Sequence, residues 1–148
     1  MRKYERRATA VCWQREKILL VERGRSRWSL PGGTIWRDET PTEAVHRQLG
    51  EETAFEGCRL DYLFQFGGLN KCHHAFFCVS PDDSRPHPCD EISRCRWLWP
   101  RKAATLPASV PTREIVALLF ELDCVASGLD FGRWNARAMK ATFVEPTP

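Results

Sequence analysis

Short apolar runs of strand length recur along the chain. The first two, residues 8–13 (ATAVCW) and 17–22 (KILLVE), are separated only by the polar QRE, which predicts a strand pair. Later runs with the same β-favouring composition are 60–66 (LDYLFQF), 74–80 (HAFFCVS) and 92–99 (ISRCRWLW). Between the early and late runs, a Pro-Gly-Gly sequence indicates a turn. The pattern therefore predicts a sheet of several short strands.

Two further segments have the pattern and the boundary residues of helices. The sequence TPTE at 40–43 supplies an N-cap threonine, a proline suited to the first helical position and the glutamate of a capping box. It predicts a helix that runs to about Thr53. The second segment, 112–123 (TREIVALLFELD), is amphipathic, begins after Pro111 and is expected to end before Gly128. Antiparallel-type strands with two helices predict an α+β layered fold.

Length and composition fit one soluble globular domain, because 148 residues can bury a core and the shares of apolar (43%) and charged (28%) residues are ordinary. The net charge of +3 suits a phosphate-bearing ligand but is too small to indicate nucleic-acid binding. The seven cysteines are scattered and form no CxxC motif, so we expect them to be reduced. No apolar run has the length of a signal peptide or a membrane span, which predicts a cytoplasmic protein with no membrane partner.

The stretch HRQLGEETAF, residues 46–55, contains the first indication of chemistry. On a helix, positions 47, 48, 51 and 52 share a face. The adjacent glutamates Glu51 and Glu52 repel each other there, and a hard divalent cation such as Mg²⁺ relieves this repulsion through carboxylate oxygens. The upstream Gly32-Gly33 turn would let the backbone approach a metal or phosphate closely. Each feature also has an ordinary interpretation, as a solvated face or a simple turn, and only their combination favours a metal site.

Other signals are weaker. The sequences KCHH at 71–74 and HPC at 87–89 contain zinc-ligand residue types, but their spacing matches no familiar structural zinc site. Of the six tryptophans, Trp36 is the best candidate to stack on a nucleobase, because it lies in the loop that leads to the glutamates. The arginines of ERGRSRW, which include Arg23, could bind phosphate or simply belong to a solvated turn.

The stretch from Gly33 to Phe55 resembles the Nudix box, whose pattern is Gly, five residues, Glu, seven residues, Arg-Glu-apolar-any-Glu-Glu-any-Gly-apolar. The corresponding residues here are Gly33, Glu39, Arg47, Gln48, Leu49, Glu51, Glu52, Ala54 and Phe55, and seven of these nine match. The flanking sequences agree over roughly Ala8 to Leu122. The resemblance implies a Nudix-type α/β/α sandwich with a mixed sheet and two main helices. It predicts one domain over 1–148, in which 128–148 are either a packed element or a frayed end.

The resemblance also implies an activity. Nudix proteins commonly hydrolyse a nucleoside diphosphate linked to another group, X, with Mg²⁺ or Mn²⁺. Carried over by position, the metal ligands would be Glu51, Glu52 and the backbone carbonyl of Gly32. Glu39 and Arg47 would brace the Gly33 loop against the helix. The resemblance allows a homodimer and leaves the substrate open.

The main departure from the family pattern is Gln48, which stands where several members have a glutamate that acts as general base or supports the metal. A neutral amide cannot accept a proton from water near pH 7, and loss of a general base costs roughly 10²–10⁴-fold in rate. The base could instead come from the loop that follows the apolar run at 74–80. Its candidates are Asp82, Asp83, His87, Asp90 and Glu91; Glu91 also matches a loop glutamate that in some members is a ligand or base.

Two smaller departures affect the loop and the end of the helix. Trp36 and Asp38 stand where the family often has Glu and Gly. Ala54 stands where a glycine usually closes the helix, so either the helix stop moves to Gly57 or Ala54 adopts a mildly strained conformation. The sequence thus predicts a metal-dependent pyrophosphohydrolase with weakened or rerouted base catalysis. The alternative is a non-catalytic Nudix module that binds a nucleotide or a protein partner as a sensor.

Overall fold

A computed structural model describes residues 5–24, 27–67, 71–81, 83–103 and 105–120. Seven strands and three helices occur in these residues, in the order β1 (Glu5–Gln14), β2 (Lys17–Arg23), β3 (Arg27–Ser29), β4 (Gly32–Thr34), α1 (Pro41–Thr53), β5 (Leu60–Gly67), β6 (Lys71–Val79), β7 (Ile92–Leu98), α2 (Pro100–Ala103) and α3 (Val110–Phe120). The predictions for 128–148 and for Asp82 lie outside the described residues. No helix in the described part of the chain is long and apolar enough to cross a membrane.

The strands form one mixed sheet with β1 near its centre. β1 runs parallel to β6 from Glu5↔Lys71 to Trp13↔Val79. Its other edge pairs antiparallel with β4 near its start and with β2 near its end, which confirms the predicted strand pair. β2 also pairs antiparallel with β3 and β7, and β5 pairs antiparallel with β6. The parallel β1–β6 pair brings residues more than 60 positions apart into register, and no local pattern could reveal it.

Helices cover both faces of the sheet, as expected for an α/β/α sandwich. Alternate residues of β1 belong to different apolar cores, because side chains along a strand point to opposite faces. Ala10 packs in the core with Leu49 of α1, whereas Val11 packs in the core with Ile115 of α3. The short helix α2 was not predicted. Pro100 begins this helix, where its fixed φ suits the first turn.

The N-terminus of α1 has the predicted capping box. The Thr40 hydroxyl accepts from the Glu43 backbone N–H at 3.1 Å, and the Glu43 carboxylate accepts from the Thr40 N–H at 3.0 Å. At the other end, Ala54 adopts the left-handed conformation (φ 63°, ψ 14°) and its N–H donates to the Gly50 carbonyl. The helix therefore ends at Ala54, which adopts the strained conformation, and the helix stop does not move to Gly57.

We expect Ala54→Gly to raise the free energy of unfolding by about 0.5–1 kcal/mol. The left-handed conformation costs a residue with a Cβ about 1–2 kcal/mol, and the greater freedom of glycine in the unfolded chain offsets part of the gain. Chemical denaturation would measure the change. The matched control is Ala117→Gly inside α3, which should lower stability by about 1 kcal/mol. An Ala54→Gly protein no more stable than the parent would contradict the prediction.

Candidate metal and phosphate site

One face of α1, the β4 backbone and the loop before β7 enclose a cleft of about 610 Å³. The cleft collects nearly all the residues that the sequence singled out, from positions that span most of the described chain. They are Arg23, Gly32, Gly33, Trp36, Arg47, Gln48, Glu51, Glu52 and Glu91. Glu39 does not line the cleft, and its carboxylate is paired with Arg47.

Two glycines let β4 lie closely between β1 and α1. Gly32 has φ +152°, and a Cβ there would lie 2.3 Å from the Ala8 carbonyl oxygen. A Cβ on Gly33 would lie 2.3 Å from the side-chain nitrogen of Gln48. A side chain on Gly32 would collide with the β1 backbone, so glycine is required there, whereas a side chain on Gly33 would displace the Gln48 amide. The Gln48 amide consequently packs directly on the Gly33 backbone.

Glu52 is the most enclosed acid of the cleft. Only 4% of it is exposed, and its Oε2 accepts a hydrogen bond of 2.9 Å from the Gly32 N–H. Its Oε1 accepts from the Arg23 guanidinium. Burial raises the pKa of the Glu52 carboxyl, although Arg23 and the Gly32 N–H act in the opposite direction.

Arg23 joins two groups that the sequence named as metal ligands. The same guanidinium nitrogen that pairs with Glu52 also donates to the Gly32 carbonyl oxygen at 2.9 Å. Arg23 is therefore held inside the cleft by an acid and a backbone dipole, and it does not belong to a solvated turn. Its positive charge lies where carboxylate and carbonyl oxygens converge.

Arg47 connects the helix to the loop after β4. Its guanidinium donates to both Glu39 oxygens, at 2.6 and 2.9 Å, and to the Thr34 carbonyl at 2.9 Å. This paired hydrogen bond lowers the pKa of Glu39 and raises that of Arg47. The guanidinium also lies 3.6 Å from the ring centroid of Trp36, whose side chain is largely exposed at the cleft. Arg47 thus orders the loop and covers one face of that indole.

Glu51 differs from Glu52 in its surroundings. Its side chain is 44% exposed, and one carboxylate oxygen lies 3.4 Å from Arg47. Within the described residues, no three side chains of His, Cys, Asp or Glu are close enough to hold a metal by themselves. Any cation in this cleft would therefore need backbone oxygens or water in addition to side-chain ligands.

The loop between β6 and β7 reaches the cleft through two backbone hydrogen bonds to the end of α1. The His87 N–H donates to the Thr53 carbonyl at 2.9 Å, and the Cys89 N–H donates to the Glu52 carbonyl at 3.2 Å. These bonds satisfy carbonyls that a helix end leaves unpaired. They bring Asp90 and Glu91 to the cleft wall.

The position of this loop reduces the number of candidates for the replacement base. Asp90 and Glu91 line the cleft, whereas Asp83 and His87 do not. Sequence reasoning did not identify Arg7, which reaches the cleft wall from β1. In the sequence, the only feature that could have identified Arg7 is its place on the same strand face as Thr9 and Val11. Such a place by itself indicates no function.

The histidines and cysteines elsewhere in the described ranges form no group of three or more potential metal ligands. All cysteines of these ranges (12, 58, 72, 78, 89 and 95) are free. His74 accepts or donates one bond with the Tyr62 hydroxyl at 2.9 Å, within the β5–β6 pair. KCHH forms the start of β6, which begins three residues before the predicted run 74–80.

Comparisons with known proteins identify a family and similar folds. A family model described as the NUDIX domain matches residues 3–119. The comparison with curated protein sequences found no match.

Among solved structures, a putative Nudix hydrolase family member from Chromobacterium violaceum is similar, with a TM-score of 0.71 and 24% identity over 94% of this chain and 97% of that chain. The NUDIX domain of Shewanella oneidensis NrtR complexed with ADP ribose has a TM-score of 0.69 and 20% identity, covering 78% and 86%. The E. coli dihydroneopterin triphosphate pyrophosphohydrolase has a TM-score of 0.61 and 18% identity, covering 78% and 96%.

Proposed function

Because the chain belongs to the Nudix family, we propose that it is a metal-dependent hydrolase of a nucleoside diphosphate linked to another group. The observation that carries the proposal is the convergence of Glu51, Glu52 and the Gly32 carbonyl on one cleft that also holds three arginines. Acids can hold a divalent cation there, while arginines can bind phosphate oxygens.

The donor set fits Mg²⁺ or Mn²⁺. Both ions favour carboxylate, carbonyl and water oxygens, and Mg²⁺ needs only one or two carboxylates when phosphates and water complete its shell. Glu51, Glu52 and Gly32 would hold the metal. When bound, it would polarise phosphate oxygens and lower the pKa of a coordinated water.

Proton removal from the attacking water needs a group other than Gln48. Its amide lies in the cleft but can only hold or orient water. We assign this role to the loop acids Asp90 and Glu91, which also line the cleft, with Glu91 as the first choice from the sequence. As a loop residue, it is expected to be a weaker base than a carboxylate held on the helix at position 48. Arg23 and Arg47 would stabilise charge that develops on the phosphates.

The proposed class of substrate is supported by the position of Trp36 and by the similar proteins. One face of the Trp36 indole is covered by Arg47, and a nucleobase could stack on the other. One similar structure is complexed with ADP ribose, and another is named for a triphosphate substrate. Nucleotide-like pyrophosphates are therefore the compounds to test.

The alternative is a non-catalytic Nudix module that binds a nucleotide or a protein partner as a sensor. Gln48 is the observation that favours it, since a helix that lacks the basic residue can keep its metal ligands without turnover.

A hydrolysis assay distinguishes the metal-dependent enzyme from the non-catalytic module. Purified protein would be assayed for phosphate or nucleotide release with Mg²⁺ or Mn²⁺. The substrates would be nucleoside triphosphates, dinucleoside polyphosphates and nucleotide sugars including ADP-ribose. Metal-dependent release from any of them supports the enzyme. Nucleotide binding without release under either metal supports the module instead.

The contacts of Arg23 lead to a separate prediction about the affinity of the cleft for a metal ion. Since Arg23 pairs with Glu52 and the Gly32 carbonyl, it competes with a cation for the same oxygens. We expect Arg23→Gln to tighten Mn²⁺ binding about fivefold, the effect of removing roughly 1 kcal/mol of charge repulsion. Electron paramagnetic resonance titration of Mn²⁺ would measure it, with Arg113→Gln on the exposed side of α3 as control. Unchanged or weaker binding in Arg23→Gln would show that the pair does not oppose the metal.

A further inference from the structure

A second depression of about 430 Å³ adjoins the cleft, between the sheet and the start of α3. We call it the basic pocket, after the four cationic side chains in its lining: Arg7, Arg23, Arg27 and Lys71. Arg7, Arg23 and Gly32 line both the cleft and the pocket. The two depressions therefore border each other at these residues, and a ligand that extends past Arg7 and Arg23 could reach both.

Charge differs sharply between them. The cleft presents the carboxylates of Glu51, Glu52, Asp90 and Glu91. The basic pocket has no Asp or Glu in the lining that the structure describes. Two acids outside that lining offset part of the positive charge. Glu5 lies 2.8 Å from Arg7 and 3.8 Å from Lys71, and Glu52 pairs with Arg23. A positive excess is left, and it would attract an anion.

The remaining lining is partly polar. Ser109, just before α3, and Thr112, in its first turn, line the pocket, but their hydroxyls bond to each other and accept from the Thr112 and Leu30 N–H groups, so the cationic side chains would be the main phosphate ligands. The Ser29 hydroxyl, also in the lining, is buried without a hydrogen-bond partner within the described residues. No Phe, Tyr or Trp is among the described lining residues, so stacking on a base is not what this pocket offers. Its apolar surface comes from aliphatic residues such as Leu30 and Ile115.

We propose that the basic pocket binds a second phosphate group of the substrate, separate from the diphosphate held in the cleft. The substrate class is then a pyrophosphate-linked compound that carries a further phosphate monoester. This inference rests on the proposed function, because it takes the cleft to be the place of the diphosphate. Arg27 and Lys71 recognise the second phosphate alone, since neither lines the cleft.

Metal-free binding separates this inference from catalysis. Isothermal titration calorimetry in EDTA would compare adenosine 5′-monophosphate with adenosine 3′,5′-bisphosphate. We expect the wild type to bind the bisphosphate about fivefold to tenfold more tightly, since two partly exposed ion pairs contribute on this order. Arg27→Gln/Lys71→Gln should abolish the preference and leave the monophosphate affinity within about twofold. The matched control, Arg113→Gln/Lys102→Gln, removes the same charge outside both depressions and should keep the preference.

The other results would overturn the inference. Equal affinity for the two nucleotides, binding of neither, or a preference that survives Arg27→Gln/Lys71→Gln would each do so. A further titration with inorganic phosphate present tests for a free anion. If phosphate binds together with the bisphosphate and leaves its affinity unchanged, the pocket does not serve the substrate. A preference in these titrations without turnover in the hydrolysis assay would leave the subsite standing and refute only the enzyme.

Discussion

Glu52→Gln is expected to lower metal-dependent turnover by at least about 10³-fold. The substitution keeps the size of the side chain and an oxygen that can accept from the Gly32 N–H, but it removes a negative charge from a site where Glu52 is 4% exposed. In so enclosed a place solvent cannot replace the lost carboxylate as a metal ligand. Much of the rate enhancement in phosphate hydrolysis comes from a metal that stabilises charge on the reacting oxygens. Steady-state kinetics and a Mn²⁺ titration would measure the loss of rate and of affinity together.

The control for this experiment is Glu114→Gln, which makes the same change on the exposed side of α3. Thermal unfolding of both variants checks that the fold is retained. If Glu52→Gln kept rate and metal affinity close to those of the wild type, Glu52 would not be a metal ligand.

Gln48→Glu is expected to raise kcat by about 10²-fold or more. The side chain packs on the Gly33 backbone inside the cleft, so a glutamate of the same shape would occupy the same position. It would add a proton acceptor on the helix, and a positioned general base contributes about 10²–10⁴-fold. The measurement is kcat at saturating metal and substrate, in parallel with Gln48→Ala, which should show no gain.

Absence of a gain in Gln48→Glu would mean that a loop acid already acts as a fully effective base in the wild type. Asp90→Asn and Glu91→Gln then identify that acid, because both residues line the cleft. A wild type that is inert while Gln48→Glu is active would instead mean that the domain retained its metal ligands and lost its base.

Local signals were sufficient for most of the secondary structure. The capping box at Thr40 and Glu43 depends on two residues three positions apart, and it appears in the structure as predicted. The alternation within β1 separates residues that pack toward α1 from those that pack toward α3. The helical spacing of 47, 48, 51 and 52 likewise predicts that they share a face, and all four line one cleft. Each signal lies within a few residues, where the geometry of the backbone alone decides the arrangement.

The sequence could not decide between two states at the end of α1, nor among the loop acids. Ala54 is held in a left-handed conformation between the helix and an apolar core that includes Phe55, and that cost is visible only once the packing is known. Asp90 and Glu91 reach the cleft because backbone hydrogen bonds join their loop to the last carbonyls of α1. Such bonds carry no side-chain signature.

Taken alone, the sequence determined the family, the mixed α+β architecture and the set of residues grouped around the paired glutamates, because these follow from short-range periodicity and a spaced motif. Tertiary structure decided which charges meet. The placement of Arg23 between Glu52 and Gly32 and the collection of Arg7, Arg27 and Lys71 around a second pocket both depend on strand pairing. Strand pairing joins residues that are far apart in the chain. It is formed by backbone hydrogen bonds, which are the same for every residue type and therefore leave no signal in the sequence.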